Sequence, residues 1–222
     1  MKTFVHDFVK LPILQQVTLP NGKRHYVTPE GNHYQSVTTL TGQVKAASIA
    51  KWRAKIGEAA ADKISNRAKA RGTSLHETIE NYLHNKPVNM LLEGDPLNKS
   101  MFYKIVPILD RLDNIKIIEG QMYSDDLELA GTTDCVADYY DDLSVVDFKT
   151  ATRAKKKEDI DDYFMQGGAY GRMYEELFGI TPKKVVIMLS VEDTPYPLVY
   201  IEPYEKCIKM LREFMRNLAK AK

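Results

Sequence analysis

The sequence predicts a mixed α/β domain in which helices cover a central sheet. Three observations lead to this prediction. Helical periodicity fills most of the first half of the chain, and β-rich segments follow in two groups, between residues 115 and 148 and between residues 184 and 201. Helical segments separate and follow these groups, an order typical of a sheet covered by helices. With 222 residues, 44% of them hydrophobic, the chain can form a full core.

The N-terminal region is expected to begin irregularly and then to form a small hairpin. Residues 1–22 show no regular periodicity. Residues 25–28 and 33–37 flank the sequence Pro-Glu-Gly-Asn, whose residues favour a tight turn. The two flanking segments are therefore predicted to pair with each other.

Two helices are predicted next. Residues 47–70 repeat apolar side chains at four-residue spacing, which predicts a helix with one core-facing stripe. That stripe consists of Trp52, Ile56, Ala60 and Ile64. Gly72 is expected to interrupt this helix. Ser74 and Glu77 match a capping box, so a second helix is predicted to begin at Ser74 and to run to Leu83.

The rest of the chain is predicted to alternate between strands and helices. Residues 96–113 form a further helix that Pro107 should kink or split, because proline lacks the backbone N–H. The later elements are strands over 115–123, 132–140 and 143–148, a helix over 161–178, strands over 184–191 and 198–201, and a helix over 205–219. Asp141-Asp142 is expected to connect two of these strands as a hairpin.

Composition narrows the classes of function. The chain has 31 basic and 30 acidic residues, a net charge of +1. A protein that coats nucleic acid without specificity is usually more basic, whereas an enzyme with a local basic groove remains compatible. Cys135 and Cys207 are too few for a zinc site or cluster made of cysteines alone, and Cys135 is expected to be a buried small hydrophobe.

The expected location follows from what the sequence lacks. There is no signal or transit pattern, no apolar run of membrane length and no cysteine framework for disulfides. We therefore expect a soluble, cytoplasmic protein with no membrane partner.

One group of residues indicates chemistry. Asp134 opens one predicted strand, and Asp147 and Lys149 close the next strand of the hairpin. Asp147 and Lys149 are two residues apart, so both side chains point to one face of the sheet, while Phe148 points to the other face and can anchor the strand in the core.

These residue types suit hydrolysis of a phosphate ester. Two carboxylates and the main-chain carbonyl of Phe148 are hard oxygen ligands suited to Mg²⁺ or Mn²⁺. A neighbouring lysine can orient the attacking water or offset negative charge. The alternative is an exposed strand with ordinary charges, because an Asp-x-Lys sequence alone is common.

Four segments, taken together, resemble one nuclease family. They are residues 36–40 (Ser-Val-Thr-Thr-Leu), residues 71–80 (Arg-Gly-Thr-Ser-Leu-His-Glu, then Glu80), Asp134 with residues 147–150 (Asp-Phe-Lys-Thr), and residues 166–170 (Gln-Gly-Gly-Ala-Tyr). In this order they resemble the PD-(D/E)XK superfamily, in its RecB-like exonuclease branch, which includes the mitochondrial genome maintenance exonuclease and related phage exonucleases.

The resemblance implies a fold and a metal site. The fold would be a restriction-endonuclease-like sheet flanked by helices, with a helical N-terminal lobe or arch. Residues 1–113 would hold the hairpin, the arch and the histidine helix, and residues 114–222 the nuclease core of the same domain. The implied metal ligands are His76, Asp134, Asp147 and the carbonyl of Phe148, with Glu119 as an extra acid. Asp134, Asp147, Lys149 and His76 would form the catalytic set.

The resemblance also implies contacts with DNA. The residues concerned are Gln166, Tyr170, Arg71, Ser36, Thr38 and Thr150. Gln166 and Tyr170 lie one helical turn apart and would face DNA together, although a tyrosine in the helix–sheet core with a glutamine at its edge is an equal alternative.

Three other sets of polar residues each have a functional and a structural interpretation. His76 would fall in the first turn of its helix, where the dipole disfavours protonation, and without the resemblance it is an ordinary structural histidine. Lys63, Arg67 and Arg71 form either a phosphate track or a solvated face. The basic run over residues 153–157 is either a loop that holds DNA or a solvated loop.

The expected function is a Mg²⁺-dependent DNA exonuclease, with Mn²⁺ able to substitute, that prefers single-stranded DNA or DNA ends. The alternatives are a structure-selective endonuclease or nickase on the same fold, and a non-catalytic DNA-binding protein. No iron–sulfur cluster is expected, because relatives that carry one use four cysteines and this chain has two.

Overall fold

Helices pack on both faces of one eight-stranded mixed sheet in the computed structural model, which describes residues 2–220. The predicted mixed α/β class is confirmed. The strands, in chain order, are β1 (Gln15–Thr18), β2 (Arg24–Val27), β3 (His33–Ser36), β4 (Leu112–Ser124), β5 (Leu129–Tyr139), β6 (Asp142–Ala151), β7 (Lys184–Val191) and β8 (Leu198–Pro203). The helices are α1 (Val37–Thr41), α2 (Ala46–Ile56), α3 (Glu58–Leu83), α4 (Asn89–Leu92), α5 (Pro96–Leu109), α6 (Asp161–Phe178) and α7 (Tyr204–Lys220).

Strand β5 pairs with three other strands. The sheet order is β1-β2-β3-β5-β6-β7-β8, and β4 also pairs with β5. Strand β4 is antiparallel to β5 along its length, whereas β3 pairs only with residues 129–130 and β6 only with residues 135–139. Because β4 occupies one edge of β5, β3 and β6 share the other edge. Residues 131–134 lie between them, and on that edge they have no strand partner within the described chain.

The predicted hairpin between β5 and β6 is confirmed, with its turn one residue earlier than expected. Tyr139 pairs with Asp142, so Tyr140 and Asp141 form the two-residue loop. Both loop residues have positive φ, 51° and 62°. This conformation matches the twist of two antiparallel strands. The hairpin therefore holds β6 in register against the end of β5.

The two faces of the sheet carry separate hydrophobic clusters. On one face α6 and α7 cover Val145, and on the other α3 and α5 cover Val146 and Phe148. Because side chains alternate along a strand, Asp147 and Lys149 point to the α6 face. Phe148 is buried on the opposite face, as predicted, and anchors β6 in the core.

The predicted break at Gly72 and the predicted cap at Ser74 are wrong. Helix α3 runs from Glu58 to Leu83 without interruption. The break lies instead at Gly57, whose φ of 85° ends α2 and starts α3. Glycine costs only about 1 kcal/mol inside a helix, which the packing of the C-terminal half of α3 can offset. The Ser74 hydroxyl lies 3.2 Å from an Asp95 carboxylate oxygen and caps no helix.

The predicted core-facing stripe over residues 47–70 is also wrong. Ala60 and Ile64 are exposed, and Trp52 and Ile56 are only half-buried. Ala61 is the one fully buried residue of this range. The spacing was helical, but α2 and the first half of α3 pack little against the sheet, so most of their apolar side chains remain in solvent.

Several boundaries differ from the sequence prediction. Strand β1 lies inside residues 1–22, which were expected to be irregular, and it pairs with β2. Helix α5 ends at Leu109 rather than at residue 113, two residues after Pro107, so the proline falls in the last turn and does not split the helix. The predicted bounds of α6 and β7 agree with the structure.

No helix among the described residues has both the length and the apolar character needed to cross a bilayer.

Close packing explains the two adjacent glycines in α6. A Cβ on Gly167 would lie 2.2 Å from a methyl carbon of Val185 on β7. A Cβ on Gly168 would lie 2.7 Å from the backbone carbonyl carbon of Cys207 on α7. The glycines therefore let α6 pack directly against its neighbours.

We expect Gly168→Ala to lower the free energy of unfolding by about 1–3 kcal/mol, because the added methyl group overpacks against backbone that cannot rotate away. Urea unfolding followed by circular dichroism measures this change. Gly42→Ala is the matched control, since nothing lies within 4 Å of its Cβ position and its φ is −58°; it should stay within about 0.5 kcal/mol of the parent protein. Equal losses in both variants would contradict the packing explanation.

Candidate active site

A split between β5 and β6 creates the site. The two strands pair from the hairpin as far as Cys135 and Val146, and beyond that point β6 pairs only with β7. The backbone N–H of Phe148 consequently has no carbonyl partner on β5. The carboxylate of Asp134 accepts this N–H at 2.8 Å. Asp134 lies in the middle of β5 rather than at its start, so the predicted position of this acid within its strand was wrong.

Asp147 and Lys149 form an ion pair on the α6 face of β6. The Lys149 ammonium lies 2.6 Å from one Asp147 carboxylate oxygen and 2.5 Å from the other. The side chain of Asp147 is 2% exposed and that of Lys149 is 20% exposed. The ammonium also lies 5.2 Å from the centre of the Tyr163 ring on α6. The pair is therefore fixed in position before any substrate binds.

His76 reaches the same place from α3, which packs on the opposite face. Its Nε2 donates to the backbone carbonyl of Phe148 at 2.8 Å. Its Nδ1 lies 3.6 Å from a Glu119 carboxylate oxygen and 3.9 Å from an Asp134 carboxylate oxygen. The unpaired stretch of β5 leaves room for this approach, so residues from both layers meet at the split.

Glu119 has a strained backbone. Its φ is 47°, in the left-handed region that residues other than glycine seldom adopt. It falls between Ile118, paired with Cys135, and Gly120, paired with Thr133, and so lies on β4 beside Asp134. Strain of this kind costs about 1–3 kcal/mol and is typical of functional sites. The distortion places the Glu119 carboxylate beside His76.

Burial and charge shift the pKa values at the site. Burial disfavours the charged form of His76, but the carboxylates of Asp134 and Glu119 outweigh it and raise the pKa of His76 to about 9. Burial raises the pKa of Asp147 to about 6, because the attraction of Lys149 compensates only in part. Burial also opposes the charge on Lys149, yet the neighbouring carboxylates raise its pKa above the ordinary value. The site favours cations.

The expected effect of the helix dipole on His76 was wrong. Because α3 begins at Glu58, His76 lies far inside the helix and not in its first turn. The dipole acts mainly within the terminal turns. The nearby carboxylates therefore decide its protonation, in the opposite direction to the one expected.

Three side chains are placed to hold a metal ion. His76, Glu119 and Asp134 each offer one ligand atom, and these atoms lie within 4.8 Å of one another. The Phe148 carbonyl oxygen is in contact with His76. Asp147 is not one of the three; one of its oxygens accepts from Lys149, and the other, buried beside the same ammonium, has no hydrogen-bond partner among the described residues. Carboxylate and carbonyl oxygens with one imidazole suit a divalent cation such as Mg²⁺ or Mn²⁺.

Gln166 and Tyr170 are buried on α6. Tyr170 packs so closely on β5 that a Cβ on Gly131 would lie 3.0 Å from its ring and hydroxyl. Burial raises the pKa of Tyr170 well above its ordinary range. The two residues therefore lie behind the unpaired stretch of β5, a position compatible with both interpretations from the sequence.

Other residues assigned to DNA have partners within the protein. Ser36 is buried and its hydroxyl accepts the Thr39 N–H at 3.1 Å, which caps α1. Thr38 accepts a hydrogen bond from Arg24. Arg71, with a side chain 7% exposed, pairs with Glu192. These contacts engage the three side chains within the protein, although the buried Nε of Arg71 has no hydrogen-bond partner among the described residues, and they do not join the side chains to the carboxylates at the split.

Thr150 and the remaining cations of α3 take different positions. The Thr150 hydroxyl lies 3.8 Å from the Cβ position of Gly72, beside α3. Arg67 pairs with Glu192 at 2.8 Å, whereas Lys63 is exposed. The stripe on α3 is therefore not a uniform basic track.

Two residues near the ion pair, Tyr163 and Lys45, were missed at the sequence level, whereas Lys155 belongs to the basic run over residues 153–157 for which two interpretations were open. Tyr163, Lys155 and Lys45 meet beside Lys149. Tyr163 precedes Gln166 by three residues and so shares its side of α6, a spacing that sequence reasoning could have used. The position of Lys45, far away in the chain, has no comparable signal. Next to the split, Gly72, Thr73, His76, Glu77, Glu80 and Glu119 line an acidic cleft of about 500 Å³.

Comparisons with known proteins add little. No protein-family model matches the chain, and no curated protein matches it. A solved structure described as the crystal structure of SSO0001 aligns with 82% of this chain and 74% of that chain, at 13% identity and a TM-score of 0.39. A likeness this weak carries no argument about function.

The charge on His76 should make stability depend on pH. The unfolded chain loses this proton near 6.5, whereas the folded protein keeps it to about 9. The stabilisation is therefore complete below pH 6.5 and is lost as the pH rises towards 9. In EDTA, we expect the wild-type free energy of unfolding to fall by about 1–3 kcal/mol more than that of His76→Gln across this range. Equal pH slopes in urea unfolding of the two proteins would be the contrary result.

Proposed function

We propose that this protein is a divalent-cation-dependent DNA nuclease of the PD-(D/E)XK type that hydrolyses phosphodiester bonds. The observation that carries the proposal is the arrangement at the split. Asp134 binds the N–H of Phe148, the residue between Asp147 and Lys149, and so the two acids and the amine lie side by side. His76 and Glu119 add two further ligating groups from neighbouring elements.

The donors at the split fit Mg²⁺, with Mn²⁺ as a substitute. Asp134, Glu119 and the Nδ1 of His76, once that nitrogen has lost its proton, would hold the ion, and Asp147 lies next to them. The strained backbone of Glu119 supports this set, because a positive φ at a residue other than glycine is typical of functional sites. When bound, such an ion lowers the pKa of water and neutralises charge on the scissile phosphate.

In this proposal, Lys149 is the side chain of the protein that acts in the chemical step. Its pKa is raised, so it stays charged at neutral pH and cannot act as a base. A fixed ammonium group can instead orient the attacking water and stabilise the negative charge of the transition state. Asp147 holds the ammonium in place at 2.6 Å. His76 holds the Phe148 carbonyl and so fixes the backbone between the two.

A single DNA strand or a DNA end is the preferred substrate in this proposal. Helix α2 carries Lys51 and Lys55, no acidic residue and the half-buried side chain of Trp52, while its Arg53 pairs with Glu58 and Asp62. Positive charge beside an aromatic ring suits single-stranded nucleic acid, because the charge tracks phosphates and the ring stacks on bases. Exonuclease action on such a strand is our first choice.

Removing either partner of the ion pair should abolish cleavage. We expect Asp147→Asn and Lys149→Met each to lower the rate of DNA hydrolysis in Mg²⁺ by about 10²-fold or more, because charge stabilisation at the reacting phosphate is lost. The assay follows product from a labelled single strand. Asp142→Asn is the matched control, since Asp142 lies at the other end of β6 and pairs with Lys184 of β7 at 3.0 Å. Circular dichroism checks that all variants fold, and wild-type rates in either test variant would refute the proposal.

The form of the substrate separates exonuclease from endonuclease. We expect Mg²⁺-dependent digestion of a linear single strand and survival of a closed circular single strand of the same sequence, because an exonuclease needs an end. Gel electrophoresis of both substrates after equal incubation measures this. Cleavage of the circle at a comparable rate would favour a structure-selective endonuclease instead, and absence of any Mg²⁺-dependent product would favour a DNA-binding protein.

A further inference from the structure

Three lysines surround one aromatic ring beside the ion pair. The ammonium groups of Lys45, Lys149 and Lys155 lie 4.8, 5.2 and 4.7 Å from the centre of the Tyr163 ring. They come from three places in the chain: the end of the turn before α2, strand β6, and the loop after β6. Lys45 and Lys149 both repel the charge on Lys155, so such a cluster needs compensating negative charge.

The protein supplies that compensation for two of the three. Lys149 pairs with Asp147, and Lys45 pairs with Asp162 at 2.6 Å. Lys155 has no carboxylate within 4.0 Å among residues 2–220, and its ammonium donates to the Tyr163 hydroxyl. The cluster therefore carries one uncompensated positive charge.

Lys155 is also partly withdrawn from water. Its side chain is half-buried, and burial together with Lys45 and Lys149 lowers its pKa, against the weaker attraction of Asp162 and Asp159. A desolvated cation without a counter-ion is unfavourable unless a ligand supplies the opposite charge. The cluster is therefore suited to binding an anion, which would supply the missing negative charge.

The surroundings hold Lys155 in place for such an anion. The Tyr200 hydroxyl donates to the backbone carbonyl of Lys155. Burial raises the pKa of Tyr163 to about 12, so its hydroxyl keeps its proton at neutral pH and remains a donor. Lysine over an aromatic ring adds a cation–π attraction that orients the ammonium group.

We propose that Lys155, Lys45 and Tyr163 form a subsite for the backbone phosphate next to the scissile one, on the strand being cut. The inference rests on the proposed nuclease function and adds the position of a second phosphate. Lys149 belongs both to the candidate active site and to the ring cluster, so one strand can contact both. The subsite holds the strand in register while its neighbouring phosphate lies at the split.

The test pairs protein variants with altered DNA. Lys155→Met removes the charge and keeps the aliphatic stem, whereas Lys155→Arg keeps the charge. Lys156→Met is the matched control, because Lys156 is in the same loop but 79% exposed and lies 3.7 Å from Glu158. The substrates are single-stranded oligonucleotides in which one phosphate at a time is replaced by a neutral methylphosphonate.

We expect Lys155→Met to raise KM about tenfold with little change in kcat, the size of one lost charge-assisted contact. Lys155→Arg should restore most of the affinity, and Lys156→Met should have no effect. With wild type, a methylphosphonate at one position flanking the cut should raise KM to a similar extent. On that substrate Lys155→Met should cause no further loss, because the contact is already gone.

Two results would refute the subsite alone, and a third would refute the nuclease proposal as well. The subsite is wrong, and the nuclease proposal stands, if wild type cuts DNA but Lys155→Met leaves KM unchanged. The same holds if the rise in KM caused by Lys155→Met adds in full to the rise caused by a methylphosphonate at every position. If wild type neither binds nor cuts DNA in Mg²⁺, both proposals fail. Should Lys155→Met not fold, Lys45→Met tests the same phosphate from another element, with the same expected dependence on the methylphosphonate.

Discussion

The hydrogen bond from the Phe148 N–H to the Asp134 carboxylate is the contact on which the site depends. It replaces the sheet bond that β6 gives up when it leaves β5 after Val146. A buried N–H must find a partner, and here the partner is an acid rather than a main-chain carbonyl. One interaction therefore satisfies the backbone and fixes the carboxylate in the opening of the sheet.

That opening lets side chains from both layers meet. Asp147 and Lys149 belong to the face covered by α6, whereas His76 comes from α3 on the other face. A continuous sheet would keep them apart. Negative charge gathers where the layers meet and raises the pKa of His76 to about 9, whereas burial raises the pKa of Asp147 to about 6.

The sequence was sufficient to predict elements and side-chain orientation wherever the pattern of apolar residues reflects local packing. Alternation along β6 predicted correctly that Phe148 faces the core opposite Asp147 and Lys149, and the bounds of α6 and β7 were predicted because strong periodicity ends in clear stop signals. It failed where tertiary context decides. Gly57 and Gly72 look alike in the sequence, yet only Gly57 breaks a helix. The positive φ of Glu119 and the meeting of Lys45 with Lys155 have no local signal, because strands and loops distant in the chain create them.

The most direct test of the central claim is where a divalent ion binds. Crystals soaked in Mn²⁺ and measured at an anomalous wavelength would locate the ion without any assumption about catalysis. We expect a manganese peak in the split, in contact with Asp134 and with at least one of His76 and Glu119, and its loss in Asp134→Ala. A well-ordered structure at high Mn²⁺ with no peak there, or with the peak only elsewhere on the surface, would contradict the account.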